Sequence, residues 1–259
     1  MAQLFSASIV LYHNDVSVAE AAVQSTLRTP GLGLLYLIDN SNDDRLRALA
    51  TDRSIIYMRP GRNIGFGQGH NLALSQVEGF QYHAIINPDV RFGPEVIPAL
   101  IEHLRSDPSV ALVGPRLMTE DAKVYISCRR WPKPLDLIGR RFLPEFLRRF
   151  IDSRRPSFEV HDLPYDRPTQ VDILSGAFLV CSTSIMRRLG GFDPRYFLYL
   201  EDYDLCRTAV AAGYRCIYEP RQVVIHRHGR HSYKQIRPLV WHSWSAIKYF
   251  NKWGWRPFY

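Results

Sequence analysis

The chain has 259 residues, of which 46% are hydrophobic and 22% are charged, and a formal net charge of +8. This composition supplies a substantial core for one large domain, or for one domain with an appendage, and it excludes a low-complexity or repeat protein. The basic excess indicates an anionic partner, which could be a phosphorylated substrate, an acidic membrane surface or nucleic acid. The four cysteines form no CxxC pair, so reduced, buried thiols are expected rather than a zinc site.

The amino-terminal segment is expected to form an opening strand. It runs MAQLFSASIVLYHND and has neither the basic region nor the small-residue cleavage site of a signal peptide. No stretch approaches the roughly 20 apolar residues that span a bilayer. We therefore expect a cytoplasmic protein.

The first half of the chain alternates short apolar runs with helix-like segments. The expected strands are 6–12, 34–39, 54–58, 82–87 and 110–114, and the expected helices are 15–28, 67–78 and 94–106. This alternation predicts βαβ units and a mostly parallel sheet. Ligands of such sheets bind beyond the carboxyl ends of the strands. The polar residues at 13–15, 39–41 and 87–89 should therefore converge on one cleft.

The second half is less regular. Residues 129–168 are rich in arginine, proline and aromatic residues, and 171–181 is expected to be a strand pair or one bent strand. A short helix at 183–189 should end at Gly190, and a helix bearing three carboxylates follows. Two further strands, 215–220 and 222–228, precede a helix at about 231–253.

A carboxylate and a glycine-rich stretch could contact a nucleotide. Asp39 directly follows a strand, where it could hydrogen-bond a base or ribose, or cap a helix near 43–50. The stretch RNIGFGQGHN places Asn63 and Gly65 before a helix, and glycines at such a point let a ligand approach the backbone and a helix N-terminus. The alternative is a glycine-rich turn with a helix cap, because the stretch matches neither GxGxxG nor a P-loop.

Two stretches offer metal ligands. Asp89, in NPDV, suits a Mg²⁺ or Mn²⁺ that bridges two phosphates, although Asn-Pro-Asp also favours a β-turn. Three histidines, at 226, 228 and 231, follow an apolar strand. One of them could complete a metal site, and the other two are expected to be packed or surface residues.

Three acids lie close together in YFLYLEDYDLCRT. Glu201 and Asp202 are either ordinary first-turn acids or carry a general base in a partly apolar cleft. Asp204 is expected to be structural: it lies three residues before Arg207 and could pair with it on the exposed side of the helix, with Leu205, Cys206, Ala209 and Val210 forming the apolar stripe.

Taken in order, these stretches resemble a known family. IVLYHND, LIDNSND, RNIGFGQGHN, INPDV, VDILSGAFLVCS, GGFDPRYFLYLEDYDLCRTAVAAGY and VIHRHG are similar to the GT-A inverting glycosyltransferases of family 2, especially the bacterial rhamnosyltransferase-like branch. Each motif is weak, but their joint order and spacing are specific. The resemblance implies an α/β, Rossmann-like nucleotide-diphospho-sugar transferase with a mostly parallel central sheet and C-terminal helices.

The resemblance also implies a division of the chain. Residues 1–230 would form the catalytic domain, with a nucleotide-sugar half at 1–115 and an acceptor half at 116–230. Residues 231–259 would form a helical, aromatic segment.

On the donor side, the resemblance implies that Asp39 contacts the pyrimidine and that Asn63 and Gly65 line the nucleotide pocket. Asp89 would be the last acid of the metal-binding DxD motif, where Asn87 replaces the first acid.

On the acceptor side, Asp202 would be the general base and Glu201 its supporting neighbour. His226, in HxxG spacing with Gly229, would ligate the metal, and Gly176 with Ala177 would border the sugar or acceptor.

The implied reaction is inverting transfer of L-rhamnose from dTDP-L-rhamnose, with Mg²⁺ or Mn²⁺, to a polysaccharide or lipid-linked precursor of the bacterial surface, such as O-antigen, lipopolysaccharide or capsule. The alternative donors are a UDP-hexose and UDP-galactofuranose. A nucleic-acid-binding protein is disfavoured, because the basic residues are dispersed and no recognition motif is present.

Basic and aromatic residues recur in 129–150 and 241–259. Such segments suit an anionic membrane interface, which predicts peripheral attachment at the inner face of the plasma membrane. The alternative is helices packed on the domain or in a homodimer.

Overall fold

A computed structural model describes residues 4–134, 136–137, 158–160, 163–164, 166–227 and 236–255, without the side chains of 236–238. Most of the basic segment 129–150 lies outside these ranges, as do His228, Gly229 and His231.

The central sheet of the described residues has the strand order β3-β2-β1-β4-β11-β6-β12-β5. β7 pairs with β6 and β9 with β12, while β8 and β10 form a separate antiparallel pair. The strands are β1 Phe5–Leu11, β2 Leu32–Asp39, β3 Ile55–Met58, β4 Tyr82–Ile86, β5 Val90–Phe92, β6 Val110–Met118, β7 Val124–Tyr125, β8 Cys128–Arg129, β9 Thr169–Val171, β10 Ile173–Leu174, β11 Phe178–Ser182 and β12 Arg215–His226.

Helices cover both faces of this sheet. They are α1 Val16–Leu27, α2 Phe66–Gln76, α3 Val96–Ser106, α4 Thr183–Leu189, α5 Glu201–Ala211 and α6 Ile236–Trp253, with a 3-10 helix at Arg45–Leu49. One apolar cluster joins α1 and α3 to the sheet, and another joins α4 and α5. The four cysteines are free and buried, as expected. Among the helices of the described ranges, none combines the length and apolar character needed to cross a bilayer.

The predicted parallel arrangement is confirmed for β3, β2, β1 and β4. β11 runs antiparallel between β4 and β6. The two strands expected at 215–228 are one strand, β12, whose register shifts between Glu219 and Val223. Pro220 cannot donate to the ladder, so the pairing is interrupted without ending the strand.

A buried polar network joins α2 to β1 and β4. Ser8 Oγ lies 2.7 Å from both His83 Nε2 and His70 Nδ1, and Ser6 Oγ lies 2.8 Å from His83 Nδ1. All four residues are fully buried. Burial lowers the pKa of His83 to about 3. Burial, and then the neighbouring His83, lower the pKa of His70 well below its usual value, so both imidazoles are neutral.

Candidate active site

The carboxyl ends of β1 and β2 meet directly. The His13 amide donates to Ser41 Oγ at 2.8 Å, and the Asn40 amide donates to the Leu11 carbonyl at 2.9 Å. After β4, the Asn87 amide donates to the carbonyl of Ala177, the residue before β11, also at 2.9 Å. The neighbouring strands β2, β1 and β4 therefore present these polar residues at one edge of the sheet.

Asp39 is buried at the end of β2. Its Oδ1 accepts the Ser41 amide at 2.8 Å, and its Oδ2 accepts the Tyr57 hydroxyl. Burial, and then this bond to Asp39, raise the pKa of Tyr57, so the phenol stays a donor. The alternative that Asp39 caps a helix is wrong, because the 3-10 helix begins at Arg45 with Asp44 at the N-cap position. The contact of Asp39 with a pyrimidine stays a prediction.

Asn40 organises the glycine-rich stretch, and sequence reasoning did not single it out. Its Nδ2 donates to the Gly65 carbonyl at 3.2 Å, and its Oδ1 accepts the Ile64 amide at 3.4 Å. Asn63 Oδ1 accepts the Gly65 amide at 2.9 Å. The stretch is thereby fastened to the end of β2. The only signal in the sequence was the position of Asn40 directly after Asp39.

Gly65 allows a close approach between two backbone segments. Its φ is +87°, and a Cβ there would lie 2.2 Å from the Phe197 carbonyl oxygen. That oxygen accepts the Phe66 amide at 3.1 Å. The first amide of α2 is therefore already partnered by the protein, and the close approach that the glycines predicted is to Phe197. The place of Gly65 in a nucleotide pocket stays a prediction.

Asp89 lies in the turn just before β5, and it meets His226 at the end of β12, which pairs antiparallel with β5. His226 Nε2 lies 3.1 Å from Asp89 Oδ1, and the ring of Tyr125 meets the imidazole edge-on at 5.3 Å. His226 is buried, whereas the Asp89 side chain is 25% exposed and so is open to a ligand.

This donor set fits Mg²⁺ or Mn²⁺. A carboxylate oxygen suits either ion, and Mg²⁺ in particular takes few protein ligands and completes its shell with substrate phosphates and water. Within the described ranges, no group of three or more histidine, cysteine, aspartate or glutamate side chains is arranged to hold a metal.

Asp202 is fixed in the first turn of α5. The Gly176 amide donates to its Oδ2 at 2.8 Å, and the Tyr203 amide donates to its Oδ1 at 2.9 Å. A Cβ at Gly176 would lie 3.1 Å from Asp202 Cβ, so a larger residue there would displace the carboxylate. Burial raises the pKa of Asp202, and the Gly176 amide and then the positive charge of Arg129 oppose this rise.

Glu201 is buried beside Asp202. Its Oε2 has no hydrogen-bond partner among the described residues. Burial, and then the charge of Asp202, raise the pKa of Glu201 to about 8. Because two adjacent carboxylates resist joint ionisation, the two acids titrate as a pair, and the Gly176 and Tyr203 amides that donate to Asp202 favour its ionised form.

The residues before α5 have an uncommon backbone. Tyr199 and Leu200 have φ values of +70° and +67°, in the left-handed region that non-glycine residues rarely adopt. Such conformations cost free energy and concentrate at functional sites. They turn the chain sharply just before the two acids.

The predicted exposed pair of Asp204 with Arg207 is wrong. Asp204 is buried and accepts Lys252 Nζ at 2.7 Å, Trp253 Nε1 at 2.6 Å and the Tyr196 hydroxyl at 3.3 Å. Arg207 instead lies 4.8 Å from the centre of the Trp253 ring. Asp204 therefore docks α6 onto α5, through partners nearly fifty residues away in sequence.

The predicted apolar stripe of α5 is confirmed for Leu205, Cys206 and Ala209, which are buried. Val210 is 36% exposed and lies outside the stripe.

Solved structures with this fold belong to GT-A glycosyltransferases. GalNAc-T7 with UDP, GalNAc and Mn²⁺ superposes with a TM-score of 0.68 at 15% identity, covering 88% of this chain and 44% of that chain. Mannosyltransferase PcManGT from Pyrobaculum calidifontis, with GDP-Man and Mn²⁺, has a TM-score of 0.60 at 17% identity, covering 96% and 65%. These likenesses show the fold alone, and the chain spans less than half of GalNAc-T7.

The chain belongs to glycosyltransferase family 2, since the family model described as "Glycosyltransferase like family 2" matches residues 14–240. The N-acetylglucosaminyl-diphospho-decaprenol L-rhamnosyltransferase of Mycobacterium tuberculosis is 31% identical over 211 residues, covering 76% of this chain and 67% of the relative. Rhamnosyltransferase WbbL of Escherichia coli is 26% identical over 224 residues, covering 83% and 80%. The family and fold predicted from the sequence are confirmed.

Proposed function

We propose that this protein is an inverting, divalent-cation-dependent transferase that moves L-rhamnose from dTDP-L-rhamnose to a lipid-linked precursor of a cell-surface polysaccharide. One observation carries the proposal. Gly176 holds Asp202, and the next residue, Ala177, holds Asn87, two residues before Asp89. A base and a diphosphate-binding group thus flank one short backbone stretch. The names of the relatives support the sugar and the lipid-diphosphate acceptor.

On the donor side, Asp39, Asn63 and Gly65 would contact the nucleotide. Asp89 and His226 would hold Mg²⁺ or Mn²⁺, beside Asn87. When bound, the cation supplies positive charge that neutralises the leaving diphosphate. A UDP-hexose and UDP-galactofuranose remain the alternative donors.

On the acceptor side, ionised Asp202 takes the proton of the acceptor hydroxyl as its oxygen attacks the anomeric carbon. The attack comes opposite the leaving diphosphate, through an oxocarbenium-like state, so one displacement inverts the anomeric centre. Glu201 keeps its proton and stays neutral, so no second negative charge lies beside ionised Asp202.

Calorimetric titration of dTDP-L-rhamnose with Mn²⁺ or Mg²⁺, and then with EDTA, tests the donor side. UDP-glucose and UDP-N-acetylglucosamine are the controls. Metal-dependent binding of dTDP-L-rhamnose alone is expected. Preferential binding of a UDP-sugar would refute the donor assignment.

Asp202→Asn tests the base. The variant should bind the donor as the parent does and lose transfer by about a hundredfold or more, because the hydroxyl keeps its proton. Product analysis by NMR should show the opposite anomeric configuration to the donor. Comparable turnover in the variant, or retention of configuration, would refute the mechanism.

A further inference from the structure

Arg129 is a half-buried arginine beside the candidate base. It lies in β8, which pairs with β10 so that Arg129 faces Ile173, three residues before Gly176. Its guanidinium carbon is 5.8 Å from the centre of the Tyr203 ring, and Tyr203 follows Asp202 on α5. β8 and α5 thus bring a cation to the side of the site where the acceptor hydroxyl must lie.

In the part of the chain that the structure describes, no carboxylate forms an ion pair within 4 Å of the Arg129 guanidinium, although the charges of Asp202 and of Glu159, which is bridged to Arg129, act on it and raise its pKa. Other partly buried arginines have partners: Arg207 donates to the Tyr249 hydroxyl, and Arg215 pairs with Asp107. A guanidinium removed from water needs hydrogen-bond acceptors to offset its desolvation. The Arg129 guanidinium lies over the Tyr203 ring, and its five N–H donors are the groups that an anionic ligand requires.

The surroundings of Arg129 indicate that it would contact the acceptor and not the donor. Its charge opposes the rise that burial causes in the pKa of Asp202, so it acts within electrostatic reach of the base. The donor diphosphate has its own groups, Asp89 and His226. Arg129 is therefore placed to hold an anion on the acceptor that Asp202 deprotonates.

We propose that Arg129 binds a phosphate group of the acceptor and thereby selects phosphate-bearing acceptors over neutral ones. The proposal rests on the function proposed above and names its substrate class. Guanidinium and phosphate match in a two-bond geometry that lysine cannot reproduce. Positioning the phosphate next to the base would orient the sugar hydroxyl toward Asp202.

A binding experiment tests this without turnover. Farnesyl diphosphate, farnesol and inorganic pyrophosphate are titrated in EDTA, which silences any metal site. The parent should prefer farnesyl diphosphate to farnesol, and pyrophosphate should compete with it. Arg129→Met should weaken farnesyl diphosphate binding about tenfold or more, and Arg129→Lys by less. Arg188→Met, at the opposite end of the sheet, is the matched control and should bind as the parent does.

Unchanged binding in Arg129→Met, or equal binding of diphosphate and alcohol by the parent, would overturn the proposal. Thermal unfolding checks that the variants fold, and if the methionine variant does not, Arg129→Lys and Arg129→Gln carry the comparison. Competition by pyrophosphate alone would identify a free-diphosphate site rather than an acceptor site.

A kinetic arm compares transfer to an N-acetylglucosaminyl-diphospho-farnesyl acceptor with transfer to the farnesyl glycoside that lacks the phosphates. The ratio of the two rates should fall about tenfold in Arg129→Met, mainly through the KM of the diphosphate acceptor. An equal loss of transfer rate with both acceptors would overturn the proposal, because it would show that Arg129 supports the fold or the base and does not bind the acceptor phosphate. Failure of the parent to transfer any sugar would refute the proposed function, and the binding arm would still decide the role of Arg129.

Discussion

Replacing His83 with glutamine should make the free energy of unfolding less sensitive to acid. The His83 imidazole is buried between Ser6 and Ser8, and burial lowers its pKa to about 3 from an ordinary value of 6.5. As the pH falls below 6.5, His83 becomes protonated in the unfolded chain but stays neutral in the folded protein. The stability that neutral His83 provides is therefore complete above pH 6.5 and is lost progressively toward pH 3.

The pKa values of His83 in the unfolded and folded states give the size of the expected stability change. Between pH 7 and pH 5, protonation of the unfolded state costs the native protein about 2 kcal/mol through His83 alone. His83→Gln removes that cost along with the histidine. The stability difference between parent and variant should thus shrink by about 2 kcal/mol from pH 7 to pH 5.

Urea denaturation followed by tryptophan fluorescence at both pH values measures this difference. Glu201 titrates in the opposite direction, since its raised pKa favours the folded state as the pH falls, but its contribution is common to both proteins and cancels. Ile85→Val, on the same strand and equally buried, is the matched control, and its difference in unfolding free energy from the parent should be the same at both pH values. A His83→Gln offset that does not change with pH would refute a buried, neutral imidazole.

Three further predictions follow from contacts at the site. Gly176→Ala places a Cβ 3.1 Å from that of Asp202 and should lower kcat about tenfold while calorimetry shows unchanged donor binding; an equal loss of binding would contradict this. Asp204→Ala removes the acceptor of Trp253 Nε1 and one of the two carboxylates that bind Lys252, the other being Asp193, and should destabilise the fold by about 2 to 4 kcal/mol in urea titrations; an effect below about 0.5 kcal/mol would show that α6 does not depend on Asp204. Trp244 is 60% exposed on α6, so sedimentation with anionic vesicles at low salt should fall in Trp244→Ser, whereas parent protein that ignores such vesicles would rule out peripheral attachment.

Sequence periodicity was enough to predict the first half of the fold. The strands up to β4 alternate with helices, and each is a local pattern that needs no distant partner. The approach of Asp89 to His226 was also predictable, because motif order implied it. The continuity of β12 through Pro220 was not, since proline normally ends a strand and here the register shift absorbs it.

The contacts missed at the site are those made by distant partners. Asp204 looked like a surface acid because Arg207 lies one turn away, but its partners are on α6. The glycine spacing predicted the close approach of a ligand, whereas in the fold it is the Phe197 backbone that lies against Gly65. Asn40 lies in LIDNSND, but nothing in that stretch indicates that its amide binds the backbone of Ile64 and Gly65. Local chemistry indicates that a polar side chain needs a hydrogen-bond or charge partner, but tertiary packing decides which residue that partner is.

The position of β11 has a consequence for how the chain acquires its structure. β11 lies between β4 and β6, although it begins at Phe178, long after β6 ends at Met118. While the protein is being synthesised, β4 and β6 each present an unpaired edge until residues 178–182 emerge, and such edges invite pairing with other chains. The first amide of α2, that of Phe66, likewise has its hydrogen-bond acceptor only after Phe197 has been synthesised. Residues 1–115 are therefore completed by later parts of the chain, and a fragment ending near residue 115 should need the rest of the chain, supplied in trans, to stay monomeric.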